Sequence, residues 1–198
     1  MIVIIDYEAG NTCSVMNALK RLDVDYKLSS SKSEIQAAEK VIFPGVGHAG
    51  AAMEALKRSS LDTLISELSQ PVLGICVGMQ LMCSGSEEGN SEGLGIIDAR
   101  VKKFDEKIGI KVPHMGWNKL HAKKADPIWE GIDANSYLYF VHSYYVPLHE
   151  ATIGACEYGH SFSAAIRKDN FWGIQFHAEK SGDIGSILLN NFVNGSLE

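Results

Sequence analysis

Three short runs in the first half of the chain, residues 2–5, 41–43 and 71–75, are apolar and rich in β-branched side chains. They are too brief for helices. A strand with no polar side has no face to give to water, so it belongs inside a parallel sheet with helices over both faces. The intervening segments can supply those helices. Residues 11–22 place Val15, Met16, Leu19 and Leu22 at helical spacing, with Asn11 or Thr12 available as a cap. Residues 51–68 read as one or two amphipathic helices, and a further helix begins at 79–82. Pro44-Gly45 is expected to stop the second strand. Strand and helix in alternation give a parallel sheet.

The second half has a different texture. Residues 100–104, 137–147, 151–156, 162–167 and 171–176 are β-rich, and 184–192 closes the chain as a helix. Residues 87–95 (EEGNSEGLG) form the most loop-like stretch, and no repeat or linker interrupts the chain. The expectation is one α/β domain over residues 1–198. Its central sheet is open and mostly parallel, with flanking helices and additional antiparallel strands. At 45% hydrophobic and 21% charged residues, the composition excludes disordered and fibrous classes. A net charge of −6 without a basic run argues against nucleic acid as a partner. The start MIVIID has no basic region, and no apolar stretch approaches the ~20 residues of a membrane helix. Four cysteines without a CxxC pair do not make a disulfide scaffold. A reduced cytoplasmic protein that makes no use of membranes is expected.

The sharpest chemical signal is Gly74-Ile75-Cys76-Val77-Gly78-Met79-Gln80. A buried strand runs into a glycine, a cysteine, a second glycine and a helix, the arrangement of a nucleophile elbow. The turn needs small neighbours on both sides of the nucleophile, and Gly74 and Gly78 provide them. A helix N-terminus at Cys76 favours the thiolate. The plain alternative, a structural cysteine at a strand end, does not account for the glycines. Cys13, Cys83 and Cys156 have no such setting. A thiolate needs a base and the base an orienting group. His177 ends the run 171–176 at a strand terminus, where α/β sheets hold their sites, and Glu179 lies two residues on. The other histidines show no metal spacing, so neither metal nor cofactor is expected. The oxyanion of acyl chemistry needs donors. Val46 and Gly47 in the turn after Phe43, and the amide of Val77 behind the nucleophile, can supply N–H groups.

P-G-V-G at 44–47, G-I-C-V-G-M-Q-L at 74–81 and F-H-A-E-K-S at 176–181 occur in that order. Together they resemble the class I glutamine amidotransferases. D-Y-E-A-G-N at 6–11, E-G-L-G at 92–95, P-H-M-G-W-N at 113–118 and Y-F-V-H-S-Y at 139–144 extend the likeness over essentially the whole chain. The resemblance implies a flavodoxin-like fold, L-glutamine as substrate, and Cys76, His177 and Glu179 as catalytic triad. It implies Gly47 and Val77 in the oxyanion hole, and Gly47, Gln80, Glu92, Ser143 and Tyr144 around the amino-acid end of glutamine. It also implies a partner, a (β/α)8 cyclase subunit of histidine biosynthesis that receives the ammonia and faces Trp117, Tyr139 and Lys180. Two departures stand out: Ala178 replaces the proline usual between the triad histidine and glutamate, and His48 follows P-G-V-G where small residues are common. The rival readings are a glutaminase subunit for another synthase such as a surface-sugar amidotransferase, a free-standing cysteine hydrolase, and a non-catalytic regulator that binds a partner.

Overall fold

The computed structural model describes residues 1–8, 11–134 and 136–197; Ala9 and Gly10 of the D-Y-E-A-G-N motif lie outside the described residues. The strands of the first half are β1 (Ile2–Ile5), β2 (Tyr26–Ser29), β3 (Lys40–Gly45) and β4 (Val72–Cys76). They alternate with α1 (Thr12–Arg21), α2 (Lys32–Gln36), α3 (Ala49–Ser59), α4 (Leu61–Ser66) and the five-residue α5 (Val77–Leu81). After these come β5 (Cys83–Ser86), β6 (Ser91–Glu92), β7 (Ile97–Lys103), β8 (His114–Lys119), β9 (His121–Ala122), β10 (Tyr137–His142) and β11 (Tyr144–Tyr145). The chain closes with β12 (Thr152–Tyr158), β13 (His160–Lys168), β14 (Phe171–Ile174) and α6 (Gly182–Asn194).

The main sheet has the order β2-β1-β3-β4-β14-β13-β12-β9. The first five strands run parallel, and β13, β12 and β9 continue it antiparallel. This is the mostly parallel α/β sheet the apolar runs required. Every residue of β1, β4 and β14 is buried, which is why these strands show no alternation in sequence. Asn11 caps α1, its side chain accepting from the Ser14 amide. Ser60, with φ +51°, breaks residues 49–66 into two helices.

Three expectations needed correction. β3 does not end before Pro44-Gly45 but includes both residues, which pair with β4, Pro44 opposite Ile75 and Gly45 opposite Cys76. Proline is tolerated because it lies beyond Ile42, the last residue that β3 pairs with β1, so the strand is one-sided there. The helix after the elbow starts at Val77 and ends at Leu81 instead of beginning near Met79. β2 and α2 were not anticipated, because β2 is partly exposed and carries Lys27 and Ser29, leaving no apolar run to notice.

Two smaller sheets lie beyond the main one. β10 pairs antiparallel with β8 as a two-stranded ribbon, and β11-β7-β5-β6 form a four-stranded sheet. The carboxyl ends of β3, β4 and β14 meet between these additions, where open α/β sheets bind ligands.

Candidate active site

Cys76 is the last residue of β4 and adopts φ +53°, ψ −109°, a backbone that L side chains rarely take. The strain is held by close packing. A Cβ on Gly78 would lie 2.0 Å from the Phe43 carbonyl oxygen, one on Gly45 2.4 Å from the Gly78 amide nitrogen, and one on Gly74 2.8 Å from that of Met79. The glycines therefore let the elbow sink against the neighbouring strand and its own helix. Gly47 is a different case: nothing lies within 4 Å of an added Cβ, but its φ of +87° favours glycine.

His177 follows β14, with its amide donating to the Tyr139 carbonyl at 2.9 Å. Its Nδ1 meets Glu179 Oε1 at 2.7 Å, and both residues are buried. That contact leaves Nε2 to face the sulfur. Burial pulls the imidazole down, but the hydrogen bonds and charges of Cys76 and Glu179 outweigh it and raise its pKa to about 10. The arrangement therefore favours a protonated imidazole facing the sulfur. Because α5 has only five residues, its dipole is a minor contributor beside these bonds. Glu179 reaches the imidazole without the proline that Ala178 replaces; the 3-10 turn over Ala178–Lys180 aims it.

The triad opens into a cavity of about 350 Å³. Val46, Gly47, Val77, Gln80, Ser143 and Tyr144 line it, and so does Lys180, which was expected at a partner interface. The Ser143 carbonyl is taken by the Phe104 amide, and the Tyr144 carbonyl by Gln80 Nε2 at 3.0 Å and His142 Nδ1 at 2.7 Å. What these two residues can offer a ligand is therefore N–H and hydroxyl.

Glu92 requires a correction. It is exposed on β6, its carboxylate 3.4 Å from Lys57 Nζ, and it does not line the cavity. The carboxylate in the cavity wall belongs to Glu88, whose Oε2 also accepts from the Ala49 amide at 2.7 Å. A 3-10 turn over Glu88–Asn90 points Glu88 inward and carries Glu92 away. His48 caps α3, its Nδ1 accepting from the amides of Gly50 and Ala51. The glycines at 50 and 89 leave room for its ring, since a Cβ on either would crowd it.

Trp117 and Tyr139 sit opposite each other on the β8–β10 ribbon, ring centroids 6.0 Å apart. Trp117 is 56% exposed, and Met115 and Tyr137 on the same ribbon are comparably open. Sequence reasoning missed Gln175. It is fully buried, and its Nε2 lies 3.7 Å from Cys76 Sγ. The signal was present: a glutamine inside an apolar strand needs a partner there. Among the described residues no cluster of side chains suits a metal ion, and no helix is long and apolar enough to cross a membrane.

An elbow cysteine, an imidazole and a carboxylate at the carboxyl ends of a parallel sheet define the class of α/β thiol amidohydrolases. The model of the class-I glutamine amidotransferases matches residues 3–194, and the chain belongs to that family. Among its relatives is the imidazole glycerol phosphate synthase subunit HisH of Bacteroides fragilis, 52% identical over 97% of this chain and 98% of the relative. The subunit HisH of Escherichia coli K12 is 45% identical over the same shares. A solved structure of a putative GMP synthase component from Thermoplasma acidophilum shares the fold. It has a TM-score of 0.73 at 20% identity and covers 96% of this chain and 90% of that one.

Proposed function

We propose that this chain hydrolyses L-glutamine to glutamate and ammonia and is the glutaminase subunit of an imidazole glycerol phosphate synthase. One observation carries the reading: a cysteine–histidine–glutamate array opens into an amino-acid-sized cavity in a chain 52% identical to a HisH subunit over 97% of its length. Cys76 attacks the side-chain amide carbon of glutamine as His177 holds the thiol proton. The amides at Val46–Gly47 and of Val77 receive the oxyanion. His177 gives its proton to the departing nitrogen, and ammonia leaves a glutamyl thioester. Water, deprotonated by His177, then cleaves the thioester to glutamate and regenerates the thiol. Glu179 keeps the imidazole in the required tautomer throughout. Gln80, Glu88, Ser143 and Tyr144 hold the amino-acid end, Glu88 pairing with the ammonium.

The partner in this reading is a (β/α)8 cyclase subunit docked on Trp117, Tyr139 and Lys180. It takes the ammonia and forms imidazole glycerol phosphate and an aminoimidazole carboxamide ribotide in histidine biosynthesis, in the cytoplasm. The test is glutamate release by the chain mixed with the cyclase subunit encoded in the same genome. Cys76→Ala is expected to lower the rate about a thousandfold or more with an unchanged circular dichroism spectrum. A variant that keeps near wild-type turnover overturns the triad.

A further inference from the structure

We infer that Gln175 is a positioning residue for the nucleophile, its side-chain amide donating a hydrogen bond that holds the Cys76 sulfur as thiolate. The inference deepens the proposed glutaminase reading and rests on it for its kinetic part.

The register explains the placement. β14 runs parallel to β4 with Gly173 beside Gly74 and Ile174 beside Ile75, so the next residue, Gln175, lies beside Cys76. On the other flank Cys76 faces Gly45, which has no side chain. Gln175 is thus the one neighbour in the sheet able to reach the sulfur from the strand level. The run it belongs to is otherwise apolar: Phe171, Trp172, Ile174 and Phe176 are all buried, and Gln175 is buried with them, where an amide costs free energy unless it is bonded. An aliphatic side chain would fill the same space without that cost, so the glutamine requires a reason beyond packing.

The direction of the amide follows from its partners. The Tyr144 carbonyl can only accept, so the Gln80 group 3.0 Å from it is Nε2. The second hydrogen of that nitrogen points to Gln175 at 2.9 Å, which makes the contacting atom Oε1. Gln175 Nε2 is then the group turned toward Cys76 Sγ, at 3.7 Å. A donor fixed in this way stabilises a charged sulfur more than a neutral one. The titratable groups that face the sulfur are His177 and the buried phenol of Tyr7, and Tyr7 is occupied with the Pro44 carbonyl at 2.8 Å. Gln175 therefore supplies the sulfur with a neutral donor in addition to the imidazole.

Two variants separate this role from a structural one. Gln175→Met keeps the shape and removes both polar atoms. Gln175→Glu keeps the acceptor for Gln80 and turns an oxygen toward the sulfur. The readout is the rate of Cys76 alkylation by iodoacetamide across pH, followed on the Cys76 peptide by mass spectrometry so that exposed Cys13 does not interfere. At neutral pH both variants are expected to alkylate about tenfold more slowly or worse, with the profile moved to higher pH and the glutamate the slower. In the glutaminase assay Gln175→Met is expected to lower kcat by a similar factor and leave KM within about twofold. Unchanged profiles in both folded variants overturn the inference. So does a slow methionine variant beside a normal glutamate variant, because then only the bond to Gln80 matters. If Gln175→Met does not fold, Gln175→Glu decides alone. Should the wild-type complex hydrolyse no glutamine while the alkylation profiles shift as stated, the glutaminase reading fails and the role of Gln175 stands.

Discussion

Glu87, Glu88 and Glu92 share one loop, and which of them serves the cavity is a question no periodicity answers. The structure answers it through a short turn: Glu88 lines the cavity while Glu92 points to Lys57 on the surface. Glu88 also grips the Ala49 amide, directly after the Val46–Gly47–His48 turn, so it joins the loop to the candidate oxyanion donors. Glu88→Gln removes the negative charge but keeps a hydrogen-bonding shape. It is expected to raise KM for glutamine about tenfold or more, because a charge-assisted bond to the ammonium becomes a neutral one. Glu92→Gln is expected to leave KM within about twofold. Steady-state kinetics of both variants check this, and a larger effect at Glu92 would sink the assignment. The contrast shows what the sequence could and could not deliver. Cys76, His177 and Glu179 were legible because strand ends, glycines and close spacing mark them. Glu88 was not, since its direction is set by a 3-10 turn with Gly89 at φ +64°.

The β8–β10 ribbon shows the same limit at the level of an element. Its pairing sets Met115 opposite Val141 and Trp117 opposite Tyr139 on one face, with His114 opposite His142 on the other. β10 turns Leu138 and Phe140 inward beside His142, as an ordinary half-buried strand does, but β8 turns Met115 and Trp117 outward and His114 inward. Hydrophobic alternation alone would have buried the wrong side of β8. Inside, His114 Nδ1 and His142 Nε2 are 3.0 Å apart, Asn118 bonds His114, and His142 bonds the Tyr144 carbonyl. Burial lowers the pKa of His114 to about 4 and that of His142 to about 3, so both are neutral links in this chain. In the unfolded chain each takes up a proton near its ordinary value of about 6.5. Between those limits the unfolded state binds more protons, and stability falls as pH drops from about 6.5 toward about 4. The slope is at most about 1.4 kcal/mol per pH unit for each histidine. Urea unfolding midpoints across this window are expected to decline with acid in the wild type and to decline less steeply in His114→Gln. A variant as pH-sensitive as the wild type would show that the slope comes from other groups.

On the scale of the whole molecule the parallel sheet was readable from three apolar runs, but the coupling between the site and the outer surface was not. The ribbon is clasped to the triad at two points. The Tyr139 carbonyl accepts the His177 amide at 2.9 Å, and the Tyr139 amide donates to Ser181 Oγ, which itself donates to the His177 carbonyl at 2.6 Å. Met115, Trp117 and Tyr137 are exposed on the outer face of that strand pair, Val141 opposite Met115 lies on the same face and also lines the cavity, and Pro113 and Lys180 line the cavity beside it. Such a patch with aromatic anchors is what a protein partner covers. A body seated there bears on the strand whose Tyr139 carbonyl accepts the His177 amide. Ammonia made without the partner has no acceptor, so the isolated chain is expected to be a slow glutaminase that the cyclase subunit with its nucleotide ligand accelerates. The Gly45-Val46-Gly47 turn is the natural place for the change, since Gly47 already sits at φ +87° and its peptide can reorient at little steric cost. Reorienting an oxyanion donor changes transition-state binding, so the acceleration belongs mainly to kcat. Trp117→Ala lies outside the cavity and is expected to leave the basal rate unchanged while reducing the stimulated rate about tenfold at limiting partner, with weaker association by titration calorimetry. Full glutaminase activity of the purified chain alone would remove the gating argument and leave the triad untouched. Full stimulation of Trp117→Ala would move the docking surface away from the ribbon.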